Sequence, residues 1–72
     1  MPEIPFDVLE QSINKRVIVS LVGRREYRGT LFGFDKPHMN LVLKDAEEIT
    51  ESGERKIVSA VIRGAAIEYV SP

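Results

Sequence analysis

Seventy-two residues, 43% hydrophobic and 29% charged, are too apolar for a disordered chain, and the apolar runs fall far short of the ~18 residues of a membrane span. One small globular domain covering 1–72 is expected. The absence of cysteine excludes a disulfide framework and thiolate metal sites, and no basic stretch leads an apolar run as in a signal peptide, so a cytoplasmic location is expected. A chain this short, without disulfides or metal, draws only about 3–5 kcal/mol from its own core, which points toward oligomerisation.

The net charge of -1 argues against a generic polyanion binder. Its distribution is uneven: between Lys15 and Lys44 seven basic residues stand against two acids, and five acids with no base follow from Asp45 to Glu54. Such a pattern permits a local anion site without requiring one.

In chain order, Phe6, Leu9 and Ile13 recur at the spacing of one helical face, with Pro5 suited to a first helical position and Asp7 and Glu10 near the positive end. A short helix stopping at Asn14 is predicted. Val17-Ile18-Val19 then reads as a strand, and Val22-Gly23-Arg24-Arg25 as a hairpin connection into a second strand, Glu26 to Phe34. Gly29 and Gly33 share one face of that strand, as in a sheet that bends sharply or lets another backbone come close. Asp35-Lys36-Pro37 breaks it, because proline offers no N–H to the ladder.

A third strand starts at Leu41 and runs into the acidic stretch, Glu51 to Glu54 forms a turn, and a fourth strand spans Arg55 to Ile62. Its later half is apolar on both faces, which implies burial on both sides. After Arg63-Gly64, Ile67-Glu68-Tyr69-Val70 makes a last strand before Pro72. The fold class expected is mainly β: a short N-terminal helix followed by a strongly bent, five-stranded antiparallel open barrel. So small a barrel leaves two strand edges uncovered, and pairing them between subunits, head to tail, closes a ring.

No catalytic constellation is present. The single histidine, His38, meets no nucleophile motif and no metal-binding spacing, so neither enzymatic activity nor a metal or cofactor is expected. The informative segment is Asp35-Lys36-Pro37-His38-Met39-Asn40. If the chain leaving Pro37 is extended, His38 and Asn40 share a side, placing an imidazole for stacking beside a carboxamide that offers both donor and acceptor to a base edge. The bland alternative is a surface turn in which Asp35 and Asn40 bond local backbone. Arg63-Gly64 is the second candidate: a guanidinium that stacks on a base or holds phosphate, beside a glycine that admits close backbone approach.

These segments resemble the Sm-like (LSm) family. The first Sm motif, about 15–48, is carried by Gly23, by Tyr27-Arg28-Gly29-Thr30-Leu31, by Phe34-Asp35 and by His38-Met39-Asn40-Leu41-Val42-Leu43; the second, about 61–71, by Val61-Ile62-Arg63-Gly64 and Ile67. The resemblance implies an Sm fold, an SH3-like small barrel. In it the fourth strand of one subunit pairs the fifth of the next, in a homomeric ring of six or seven with seven favoured. It implies uridine-rich single-stranded RNA as the partner, bound at the inner rim, with His38 stacking on the base, Asn40 bonding its edge and Arg63 completing the sandwich. Met39 and Gly64 would shape the pocket and Asp35 would support the loop. A role in RNA processing or ribonucleoprotein assembly follows, with an archaeal-type homomeric ring preferred.

Two departures bear on selectivity. Lys36-Pro37 makes the loop one residue longer than the family pattern, and Ala65 stands where the family often has an Asp or Asn that orients the base-reading amide. Blurred base preference is therefore expected. The competing readings are a ring that scaffolds protein partners with a degenerate RNA pocket, and a small-barrel peptide-binding module. The latter is disfavoured because such modules line their grooves with aromatics, and Phe6, Phe32 and Phe34 are expected to be taken by the core.

Overall fold

The computed structural model describes residues 5–71, with side chains from Asp7 onward; Ile4, the Phe6 side chain and Pro72 lie outside the described residues. Helix α1, Pro5–Gln11, tightens at its end through i→i−3 bonds from the Ser12 and Ile13 N–H groups. Asn14 then takes a left-handed conformation (φ 68°), which carboxamides tolerate and which stops a helix. Its N–H donates to the Leu31 carbonyl and the Lys15 carbonyl accepts from Leu31, which ties the helix exit to the middle of the sheet. Leu9 on the inner face of α1 is buried, as the helical spacing requires.

Five antiparallel strands follow: β1 Arg16–Leu21, β2 Arg25–Phe34, β3 Leu41–Thr50, β4 Gly53–Ile62 and β5 Ile67–Ser71, in the spatial order β4-β3-β2-β1-β5. The β1–β2 turn uses two positive-φ residues, Gly23 and Arg24, the backbone hand that matches strand twist. Val17, Val19, Leu21, Leu31, Leu41, Leu43, Ala46 and Ile62 point to one side and form the core with Leu9. The opposite side carries Ser20, Arg28, Thr30 and Lys44, as expected of a sheet with one buried face, together with the apolar Phe32 and Val61.

The two glycines of β2 are not equivalent. A Cβ on Gly29 would stand 3.0 Å from the Ala46 Cβ and 3.1 Å from the Lys44 carbonyl oxygen, so β3 crosses close over it, beside a register shift between Arg28 and Thr30. At Gly33 a Cβ would meet nothing within 4 Å, although a second shift lies between Leu31 and Gly33. The close-approach role expected of both glycines belongs to Gly29 alone.

Two further expectations are corrected. The later half of β4 is not buried on both faces within one chain: Ile62 is 4% exposed, but Val58 is 85% and Val61 74% exposed. The reason is topological, for β4 and β5 are the two edges of the sheet and do not pair with each other. Phe34 packs against the core, but Phe32 does not; it stands on the outer face of β2 with 56% of its surface exposed.

Candidate nucleic-acid interface

The loop 35–40 connects β2 to β3, and one carboxylate organises it. Asp35 accepts the His38 N–H on Oδ1 at 2.9 Å and the Asn40 side-chain amide on Oδ2 at 2.9 Å. The backbone adds two bonds, Met39 N–H to the Asp35 carbonyl and Asp35 N–H to the Asn40 carbonyl. The His38 N–H, ahead of the bonds from Asn40, holds the Asp35 carboxyl below the usual carboxylate range, so it is ionised near neutrality and can only accept.

That constraint fixes the Asn40 amide. With Nδ2 donating to Asp35, Oδ1 is directed to the other side, where it accepts the Gly64 N–H at 2.9 Å. Gly64 opens a short 3-10 turn, Gly64–Ala66, between β4 and β5. A Cβ on Gly64 would overlap the His38 carbonyl oxygen and come within 2.8 Å of the Met39 carbonyl oxygen, so the two loops touch backbone to backbone and only glycine fits. Arg63 precedes this contact in an extended conformation and is exposed, as is His38. Residues far apart in the chain, His38 and Asn40 on one loop and Arg63 and Gly64 on the other, thus share one end of the barrel.

The segment leaving Pro37 is not extended. Lys36, Pro37 and His38 form a turn, and Met39 takes φ 55°, so strict alternation does not place His38 and Asn40 together; the Asp35 carboxylate does, by binding both. Met39 turns its side chain toward the core and lines an apolar groove with Val8, Leu9, Leu41, Ile67 and Val70. The amide is also oriented without help from residue 65. The expectation that Ala65 leaves it unoriented is therefore corrected: Asp35 and the Gly64 N–H do that work.

The charge asymmetry of the sequence folds against itself in part. Arg16 bonds the Asp45 carbonyl and Glu47, and Arg24 meets Glu51, which joins the basic segment to the acidic one; Arg28 meets Glu26 two residues away on β2, and Arg55 of β4 meets Glu48 opposite it on β3. Tyr27 donates to Glu48, which pushes the phenol up and the carboxyl down from their ordinary values. Among the described residues, Arg63 enters none of these pairs, so its guanidinium remains available beside the loop. The resemblance implied that Asp35 would support the loop, but sequence reasoning missed its two partners, the His38 N–H and the Asn40 amide; the spacing of three to the His38 N–H is the signal of an Asx-type turn that could have shown the first.

A family model described as the LSM domain matches residues 7–72. An Sm-like protein of Archaeoglobus fulgidus is 58% identical over the whole chain and 94% of its own length. Among solved structures, the Sm protein of Pyrococcus abyssii, determined in complex with a uridine heptamer, is 41% identical with a TM-score of 0.89, covering 97% of this chain and 99% of that one. The SmAP1 heptamer of P. aerophilum superposes with the same TM-score of 0.89 at 39% identity, over 100% of this chain and 96% of its own.

Proposed function

The chain belongs to the LSM-domain, or Sm-like, family, and from that premise we propose that it assembles head to tail into a homomeric ring of seven, the number of subunits in the P. aerophilum heptamer, and binds uridine-rich single-stranded RNA along the inner rim. Residues 1–72 act as one domain, the motifs at about 15–48 and 61–71 supplying the two halves of each pocket. The role is binding in RNA processing or ribonucleoprotein assembly, not catalysis, and we place it in the cytoplasm.

The observation that carries this reading is the Asn40 carboxamide clamped between Asp35 and Gly64. Each end is used once, which leaves one N–H and one oxygen lone pair for a ligand. Uracil presents an N3–H donor beside the O4 acceptor; cytosine presents the reverse, an N4 donor beside the N3 acceptor. An amide that cannot flip distinguishes the two orders. His38 stacks on the base, Arg63 covers its other face or holds phosphate, Gly64 admits the backbone contact, and Met39 shapes the pocket through its backbone. Repetition around a ring multiplies one modest contact set, which accounts for RNA binding by a weakly acidic chain.

The ring reading rests on the unpaired edges. Val58 and Val61 on β4 stay exposed in one chain, and β5 offers a free edge on the other side of the same sheet, so two different surfaces meet when subunits join.

Native mass spectrometry of the protein with equimolar oligouridine and oligoadenine tests both halves. A sevenfold assembly that retains oligouridine in preference is expected, and substituting His38, Asn40 and Arg63 together by alanine should abolish retention while the ring persists. A ring that retains neither oligonucleotide would reject the RNA reading and leave a protein scaffold.

A further inference from the structure

Tyr69 is turned outward by an irregularity in β5. Ile67 and Tyr69 stand two apart, so strict alternation puts them on one face. Instead Leu21 pairs with Ile67 and Ser20 with Tyr69, which leaves Glu68 as an extra residue, a bulge of the kind that re-aims a side chain. Ile67 and Val70 pack against the core, whereas Tyr69 keeps 56% of its surface exposed. Because β5 is an edge of the sheet, the phenol projects from the strand that the proposed assembly pairs with β4 of a neighbour.

The other edge carries a matching surface. On β4, Val61 is 74% exposed, Ala60 beside it packs against the core, and Ser59 is exposed again. Antiparallel pairing with Tyr69 opposite Val61 sets Val70 opposite Ala60 and Ser71 opposite Ser59. Each pair then shares a face, core side with core side and outer side with outer side. A slip of one residue would set Tyr69 against the core side of β4, and a slip of two along β4 would set it opposite the polar Ser59.

We propose that Tyr69 of one subunit packs on Val61 of the next and so fixes the register of β5 against β4 around the ring. The partner is a second copy of this chain, and the proposal rests on the ring reading above, which names the paired edges but not their register. An aromatic opposite a β-branched side chain is a favourable cross-strand pair. An amphipathic tyrosine also suits a surface that is exposed in one subunit and covered in the assembly. Charge favours this occupant over RNA. The row across the sheet from Tyr69 runs through Ser20, Glu26 and Ile49, and Glu68 precedes it, so that row offers no cation to a phosphate.

The test uses the full chain, whose lack of cysteine makes engineered pairs unambiguous. Ser59→Cys with Ser71→Cys in one chain should, on mild oxidation, give a ladder of covalently joined subunits in denaturing electrophoresis. Ile57→Cys with Ser71→Cys, the pair that meets if Tyr69 stands opposite Ser59, should give none. Sedimentation velocity over a dilution series should show Tyr69→Ala needing at least about tenfold more protein to assemble, with the subunit fold kept by circular dichroism. Tyr69→Phe should assemble within about twofold of wild type. A ladder from the Ile57 pair instead would overturn the register. Assembly of Tyr69→Ala at the wild-type concentration would overturn the contact and leave the phenol to another ligand. If Tyr69→Ala does not fold, the cysteine pairs still decide. A wild-type ring in which neither pair cross-links would overturn the proposal alone, whereas a wild type that stays monomeric at every concentration would overturn it together with the ring reading.

Discussion

Asn40 Oδ1 accepts the Gly64 N–H at 2.9 Å, and the same glycine lies so close to the loop that a Cβ would overlap the His38 carbonyl oxygen. One position therefore both orients the Asn40 amide and sets how near the two loops come. Gly64→Ala must separate them, breaking the Asn40 bond and straining the core beneath. Overpacking of this kind costs about 1–3 kcal/mol, and with the lost hydrogen bond the total should reach at least 2 kcal/mol. Chemical denaturation at matched protein concentration measures it; a loss under about 0.5 kcal/mol would show that the loop yields freely.

Asp35 fixes which way the Asn40 amide faces because its carboxylate can only accept. In Asp35→Asn the new side chain can accept or donate, and the amide of Asn40 gains a second orientation. Discrimination between oligouridine and oligocytidine should shrink by about tenfold, the worth of roughly 1–3 kcal/mol for one well-placed base contact, while stacking keeps both ligands bound. Competition titration reads the ratio directly. By the same geometry Ala65→Asp should change it by less than about twofold, since the amide already has both partners.

The acid response of the loop follows from the same carboxylate. Asp35 has a folded pKa below its unfolded value near ~3.9, chiefly through the His38 N–H. A depressed carboxyl contributes stability that is present above the unfolded pKa and lost as pH falls through the folded one. The Asn40 side-chain amide resonances should hold constant from neutral pH down to about pH 5 and move only below about pH 4. Movement centred well above that range would mean that Asp35 is not ionised by these hydrogen bonds.

Much of this architecture was legible in the sequence, and the parts that were not share a cause. The β-branched runs, Asn14, Gly23 and the Pro37 break mark the elements because each acts through its own backbone preference. Asn40, Arg63 and Gly64 stood out as candidates because they fall in the two segments that resemble the family's motifs. What escaped was set by tertiary partners. Met39 takes positive φ in a loop that Asp35 binds on both sides of it, Arg16 and Arg24 meet acids of the stretch that follows Lys44, and Phe34 turns in to the core on the side of Leu31, past the register shift between Leu31 and Gly33. Alternation along one strand shows none of these.

Edge assembly makes a prediction at residues that matter little to one chain. Val58 and Val61 are 85% and 74% exposed, so lysine at both positions should leave the subunit fold intact by circular dichroism. Two desolvated charges at a strand-pairing edge oppose association, as lysines do on natural edge strands. Sedimentation velocity should show the ring replaced by smaller species at micromolar concentration. An undisturbed ring would place the contact elsewhere than β4.

The two glycines of β2 separate what a strand glycine can be for. At Gly29 a methyl group would press 3.0 Å from the Ala46 Cβ and 3.1 Å from the Lys44 carbonyl, where β3 crosses over the bend and the nearest atoms include backbone that cannot swing aside. Gly29→Ala should cost about 1–3 kcal/mol as overpacking. At Gly33 the methyl meets open space, so Gly33→Ala should be neutral or stabilise by about 0.4–1 kcal/mol through the lower entropy of the unfolded chain. Both variants, melted at one concentration to hold the assembly equilibrium fixed, give opposite signs if the bend is set by close approach at Gly29. Equal losses would instead mean that backbone freedom at both glycines shapes the strand.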